Sequence, residues 1–286
     1  MERIKLAIEK AKAGHVDSAP ATVALFPGTG EPPRAEPEPA KASERRTAQG
    51  DPLPVHYKQT AVVPLDSQHL ESRRVIAHQK AHAAGWAFDV LRTQVLQKMD
   101  DNGWKTLAIT SPTVESGKTL VSTNLAMSIS QLSHRTVLLV DFDLRRPSVA
   151  KTLGLKCKHS LNDVLEGRVG VADALVNPGI ERFVVLPTNS SVAGASEALS
   201  SARVGHLITE LRDRYRDRIV VFDLPPVLAA DDVMTVLPRI DCVLLVVASG
   251  ASTESEVEEA MNRLSKANLL GVVLNKEEAP VQNAYY

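Results

Sequence analysis

Cysteine is scarce. The chain has two among 286 residues, Cys157 and Cys242. They lie far apart and show no metal-ligand spacing, which argues against a disulfide framework and against a zinc site. Both read as thiols in a reducing compartment, with Cys242 a core residue. Neither sign of charge is in excess: Lys and Arg number 33, Asp and Glu 34, for a formal net charge of -1 at pH 7. Such a balance gives no overall attraction to nucleic acid or to an anionic membrane. Long apolar runs are missing too, none approaching the roughly 20 residues a membrane helix needs. The opening MERIKLAIEKAKA lacks the apolar stretch of a secretory signal. The expectation is a cytoplasmic chain that meets a membrane only through a partner.

What is present falls into zones. Residues 1–14 place Ile4, Ala7, Ile8 and Ala11 on one face at helical spacing. This short amphipathic helix is marginal alone in water and asks for a docking partner. Residues 15–65 change in composition: nine of the 17 prolines fall before residue 65. EPPRAEPEPAKASERRTAQGDPLP has no apolar periodicity and too little apolar surface to offset its ordering entropy, so it reads as a Pro-rich flexible linker. Residues 66–279 read as one folded domain, and 280–286 as a tail ending NAYY.

Within the domain, apolar runs alternate with helical patterns. The runs are Thr106–Ile109, Thr136–Val140, Phe183–Leu186, Ile219–Phe222, Cys242–Ala248 and Leu269–Leu274. Several are continuous, as in strands buried on both faces. Helical patterns cover Thr119–Leu132, Ser196–Tyr215, Ala230–Leu237 and Thr253–Ala267. The alternation predicts an α/β fold, a mostly parallel sheet with helices on both faces and ligands at the strand C-terminal ends.

Three strand ends carry chemistry. ITSPTVESGKTLVSTNLA runs from a strand through Gly117-Lys118-Thr119 into a helix. In that context successive backbone amides and the helix N-terminus attract phosphate. Gly117 lets the backbone approach closely, Lys118 offers an ammonium to the β/γ-phosphates, and the Thr119 hydroxyl is a Mg²⁺ ligand. The pattern G-x-x-x-x-G-K-[ST] fails at its first position, Pro112. TVLLVDFDLRRP ends an apolar strand in Asp141 and Asp143, which strand geometry puts on one face. They read as a Mg²⁺ or hydroxyl-activating site, or else as capping aspartates of a turn. Arg145 and Arg146 follow, as surface charges or as contacts to phosphate or an acidic partner. In DRIVVFDLPP four apolar residues lead to Asp223, the shape of a metal-positioning strand-end aspartate.

The ordered set GKT…LLVDFDLRRP…IVVFDLPP resembles the bacterial P-loop tyrosine kinases. These are autokinases of exopolysaccharide and capsule synthesis related to the MinD/ParA ATPases. The likeness covers roughly residues 80–276 and is closest to the stand-alone cytoplasmic form. It implies ATP and Mg²⁺, with Glu115, Ser116, Gly117, Lys118, Thr119 and Leu120 around the nucleotide. It also implies Lys118, Asp141 and Asp143 in catalysis, Thr119 and Asp223 on the metal, and Tyr285 and Tyr286 as phosphoacceptors reached in trans. The implied partners are a membrane chain-length-determinant (polysaccharide co-polymerase) activator at the inner face of the membrane, a tyrosine phosphatase and further copies of the chain, with no nucleic acid. Two other readings of the same motifs stand beside it: a MinD/ParA-like ATPase switch, and a non-catalytic regulatory subunit. The segment ITSPTV has no early lysine of the kind such switches carry.

The chain departs from the family at three places. Glu115 stands where the family loop has glycine; if that position needs φ > 0, a side chain there costs about 1–2 kcal/mol. In WAFDVLRTQVL, Trp86 and Asp89 replace the Glu and Arg of the family's self-association helix, which speaks against rings by that route. The tail offers two tyrosines rather than a longer cluster.

Overall fold

The computed structural model describes residues 60–79, 82 and 85–277, with the backbone of Leu25–Pro27. The helix expected over 1–14, most of the Pro-rich segment, and Tyr285 and Tyr286 lie outside the described residues.

In chain order the strands are β1 (Leu25–Pro27), β2 (Ala61–Val62), β3 (Thr106–Thr110), β4 (Thr136–Asp141), β5 (Val176–Asn177), β6 (Phe183–Leu186), β7 (Arg218–Asp223), β8 (Cys242–Ala248) and β9 (Leu269–Asn275). The helices are α1 (Ser67–Ser72), α2 (Gly85–Asn102), α3 (Lys118–Ser130), α4 (Val149–Leu153), α5 (Leu161–Leu165), α6 (Val171–Ala174), α7 (Ala195–Ser200), α8 (Ala202–Asp213), α9 (Asp232–Val236) and α10 (Glu254–Arg263). One sheet runs β1-β9-β8-β3-β7-β4-β6-β5-β2. It is parallel except where β1 lies on β9 and β5 on β6.

Side chains alternate across this sheet, so each apolar run feeds two cores. Leu107, Ile109, Val137, Leu139, Val221 and Val246 meet α2 and α3 through Phe88, Leu91, Val95, Leu125 and Ile129. Leu138, Val140, Val220, Phe222, Leu245 and Val247 meet α8, α9 and α10 through Val204, Ile208, Val233, Val236 and Val257. The mostly parallel sheet with helices on both faces is the architecture the strand–helix alternation predicts. Phe142 and Phe222 pack with ring centroids 5.0 Å apart beneath the ends of β4 and β7, a tilted arrangement favoured by the ring quadrupoles.

The expected linker over 15–65 needs correction. Ala61 and Val62 pair with Val176 and Asn177, and the Val63 amide donates to the Asn177 carbonyl at 2.8 Å, so the folded unit begins before residue 66. Leu25–Pro27 runs antiparallel to β9, Leu25 opposite Val273. A sheet edge recruits backbone through unpaired amides and carbonyls, a force that composition does not register. The helix expected over Ser196–Tyr215 is two. Ser201 adopts an extended conformation and its hydroxyl accepts from the Val204 amide, capping α8. No helix among the described residues is long and apolar enough to cross a membrane.

Candidate nucleotide site

Parallel pairing brings the C-terminal ends of β3, β4 and β7 to one edge, and the loop from β3 to α3 rises between them. Its base is pinned by the chain after β7. Thr110 Oγ1 donates to the Pro225 carbonyl at 2.7 Å, and the Val227 and Leu228 amides donate to the Ser111 and Pro112 carbonyls. Two prolines in that segment fix its exit from the sheet.

The loop closes on Gly117, at φ 88. A Cβ there would collide with Asn275 Nδ2, which donates to the Ser116 carbonyl at 2.9 Å. Only glycine meets both demands at once. Asn275, which ends β9, is therefore a brace for the loop. Its place after the last apolar run does not by itself separate a brace from a strand-end turn. Glu115 is also left-handed, at φ 62, so the strain expected of a side chain at this position is present.

Lys118 opens α3 and is almost buried. Its Nζ lies 2.9 Å from Asp143 Oδ2 and 3.6 Å from Asp223 Oδ2. Burial works against the ammonium, but Asp223 and Asp143 outweigh it and hold Lys118 above the ordinary lysine value. Thr119 Oγ1 donates to Asp223 Oδ2 at 2.6 Å, and Ser122 Oγ to Asp223 Oδ1 at 3.1 Å. Burial is also the largest influence on Asp223 and raises it, against Lys118 and these hydroxyls.

The two β4 acids differ in place. Asp141 is fully buried and accepts from the Ser148 and Val149 amides, both at 2.9 Å, and from the Asp143 amide at 3.2 Å. Burial, then the neighbouring Asp223, push its carboxyl up to about 8. Asp143 instead lines the cleft. So do Val114, Glu115, Gly117, Thr119, Arg145 and Pro226, around a volume of about 430 Å³. Ser116 stays off that wall, its hydroxyl donating to the Thr113 carbonyl at 3.0 Å. Leu120 borders the cleft.

A residue missed in the sequence completes the edge. Asp232, in α9 and 0% exposed, takes Arg145 Nε at 2.7 Å and Nη2 at 3.1 Å. Ser196 of α7 also donates to Asp232. Burial alone would raise this carboxyl, but the bonds from Arg145 and Ser196 hold it below the usual carboxylate value. The run AADD gave no sign of which aspartate turns inward.

Strand, glycine-closed loop, lysine at a helix start and strand-end acids define a P-loop nucleotide-binding domain. A family model described as an AAA domain matches residues 104–269, more than half of the chain. CapB of Staphylococcus aureus is 27% identical over 201 residues, 70% of this chain and 87% of CapB. The tyrosine-protein kinase Etk of Escherichia coli K12 is 33% identical over 207 residues, 72% of this chain but 28% of Etk. The chain belongs to this AAA-domain family and, within it, to the bacterial P-loop tyrosine kinases related to MinD and ParA. The solved kinase domain of Escherichia coli ETK superposes with a TM-score of 0.67 at 30% identity, covering 79% of this chain and 93% of that one. The septum-site-determining protein MinD of Pyrococcus horikoshii, solved with Mg-ADP, shares the fold: TM-score 0.50 and 23% identity, over 59% of this chain and 68% of that one.

Proposed function

We propose that the chain is an ATP-dependent protein tyrosine autokinase that regulates exopolysaccharide or capsule synthesis and export. The observation that carries this reading is Lys118 held between Asp143 and Asp223 at the mouth of a glycine-closed loop. A triphosphate entering the cleft competes with Asp143 for the Lys118 ammonium. The loop amides of Glu115–Leu120 receive its oxygens, and Asp143, released from Lys118, faces the acceptor. Phosphoryl transfer asks mainly for placement and charge neutralisation, and these groups supply both. We assign to Asp143 the orientation of the tyrosine hydroxyl and acceptance of its proton. Asp141, occupied by three backbone amides, positions the loop that carries Asp143.

The residues fit Mg²⁺. Thr119 and Asp223 present adjoining oxygens, and Asp143 and Asp223 both flank one ammonium, a concentration of carboxylate oxygens that suits a hard dication. Among the described residues no group of three or more His, Cys, Asp or Glu side chains could hold a metal alone. That accords with an ion held by one or two protein oxygens and by substrate phosphates. When bound, Mg²⁺ neutralises charge on the β- and γ-phosphates. The acceptors are Tyr285 and Tyr286. The activator is the cytoplasmic part of a membrane chain-length-determinant protein, which holds the chain at the inner face of the membrane; a tyrosine phosphatase reverses the mark.

The test is phosphotyrosine formation with Mg·ATP and that activator, mapped by mass spectrometry. The parent chain is expected to label its tail, and Lys118→Ala to lose the label by at least about a hundredfold, the scale of a removed transition-state contact. A parent chain that binds ATP and leaves the tail unlabelled would sink the kinase reading.

A further inference from the structure

The cleft wall contains a second cation whose placement is fixed from behind. Arg145 follows the β4 acids and borders the cleft beside Lys118 and Asp143. Its side chain is 49% exposed, while its partner Asp232 is wholly buried. Nε and Nη2 are spent on Asp232, and Nη2 also reaches Ser196 Oγ at 3.2 Å. A guanidinium has five N–H donors in a planar fork. The contacts to Asp232 and Ser196 occupy one edge of the fork and leave Nη1 for an acceptor in the cleft. A surface ion pair would gain little from such a design. A buried carboxylate locked by a serine, with its arginine half in solvent at a phosphate cleft, is the arrangement that orients a cation rather than one that merely ties two elements.

We infer that Arg145 contacts the terminal phosphate of the bound nucleotide, and that Asp232 and Ser196 are positioning residues that hold its guanidinium at that station. This rests on the site's being a nucleotide site. Phosphates cradled by the loop amides, with Lys118 at the β/γ pair, extend toward the ends of β4 and β7, the edge on which Arg145 stands. The contact reads the number of phosphates: ATP reaches Arg145 and ADP stops short. Asp232 and Ser196 come from α9 and α7, so the same contact registers the presence of ATP on the two helices that flank the β7 exit loop.

The experiment is calorimetric titration of the full chain with Mg·ATP and, separately, Mg·ADP, for the parent, Arg145→Ala, Arg145→Lys, Asp232→Asn and Ser196→Ala. Each is paired with a thermal melt. Loss of one charge-assisted hydrogen bond corresponds to about a tenfold to hundredfold weaker ATP affinity. That loss is expected for Arg145→Ala, with ADP changed less than about threefold. Arg145→Lys keeps the charge without the fork and should fall in between. Asp232→Asn and Ser196→Ala should lower the ATP-to-ADP preference in the same sense. Guanidinium ion added to Arg145→Ala at non-denaturing concentration should restore part of the preference. Equal losses for both nucleotides, or a lower melting temperature with the preference intact, would overturn the inference and leave a fold tie. The titrations read binding alone, so absence of phosphotyrosine would refute the kinase reading without touching this comparison. Binding of neither nucleotide by the parent would refute both.

Discussion

At the scale of single residues the phosphate loop holds two left-handed positions, and evolution has filled them differently. Gly117 is obligatory because Asn275 occupies the space of a Cβ. Glu115 is not obligatory: it is exposed, at φ 62, and carries a negative charge on the cleft wall. Replacing it with glycine removes left-handed strain of about 1–2 kcal/mol, against which the extra freedom of unfolded glycine sets roughly half. Glu115→Gly should therefore melt a few degrees higher. It should also bind Mg·ATP several times more tightly, since a like charge leaves the triphosphate's surroundings. Differential scanning calorimetry and titration check the two effects separately. An unchanged melting temperature would mean that the Glu115 side chain makes good its backbone cost.

At the scale of elements, α9 is short and held by one charged contact across to the end of β4. The bonds from Arg145 and Ser196 place the Asp232 carboxyl below its ordinary value of 3.8. A group with a depressed folded value contributes stability that is present above the unfolded value and is lost as pH falls through the folded one. Asp232→Asn should thus be less stable than the parent at pH 7, by about 1–3 kcal/mol for a charged hydrogen bond. The gap should shrink as pH is taken below 3.8. Urea unfolding at pH 7 and pH 3 measures it; a gap of constant size would assign the loss to packing instead. Elements such as α9 also mark what the sequence makes legible. The central strands announce themselves because both their faces are buried, so β6 and β8 match their apolar runs residue for residue. The cation and acids of the site are legible because three strand ends carry them in order, Lys118 after β3 and the acids at β4 and β7. Helices α4, α5 and α6 span at most five residues, too few to show a period. Strands β2 and β5 have two residues each and are defined by partners distant in sequence. Ser196 and Asn275 carry no motif that the sequence would flag, since a brace is recognised by what it touches.

At the scale of the whole molecule, the question is whose tyrosines enter which cleft. In α2, the charges at the place of the family's self-association motif are paired within the chain. Arg92 donates to Asp89 at 2.8 Å and to the Ser128 carbonyl and hydroxyl at 3.0 Å, and Ser128 donates to Asp89. These charges find partners within the chain, which weakens their pull on a neighbour although Asp89 stays 46% exposed. The tail leaves from Asn275, beside Gly117, on the β9 side of the loop. Asp143 stands on the β4 side, four strand spacings away in the order β9-β8-β3-β7-β4, or about 19 Å. The ten residues from Asn275 to Tyr285 span at most about 35 Å, so length alone permits a return to the chain's own site. Direction does not favour it. The attacking and leaving oxygens must be roughly in line, and a tail anchored at Asn275, four strands from Asp143 in the sheet, is restricted in the angles from which its own tyrosines can approach. A second chain approaches that face from outside without that anchor. Transfer should therefore run in trans through encounter, with a rate per chain that rises with concentration. Mixing supplies the decisive form of the measurement. One chain carries Lys118→Ala and an intact tail; the other has a working site with Tyr285→Phe and Tyr286→Phe. Tail phosphotyrosine on the Lys118→Ala chain is the expected outcome. An unlabelled Lys118→Ala chain, beside a parent that labels itself at a rate independent of concentration, would place the reaction within one molecule and refute the directional argument.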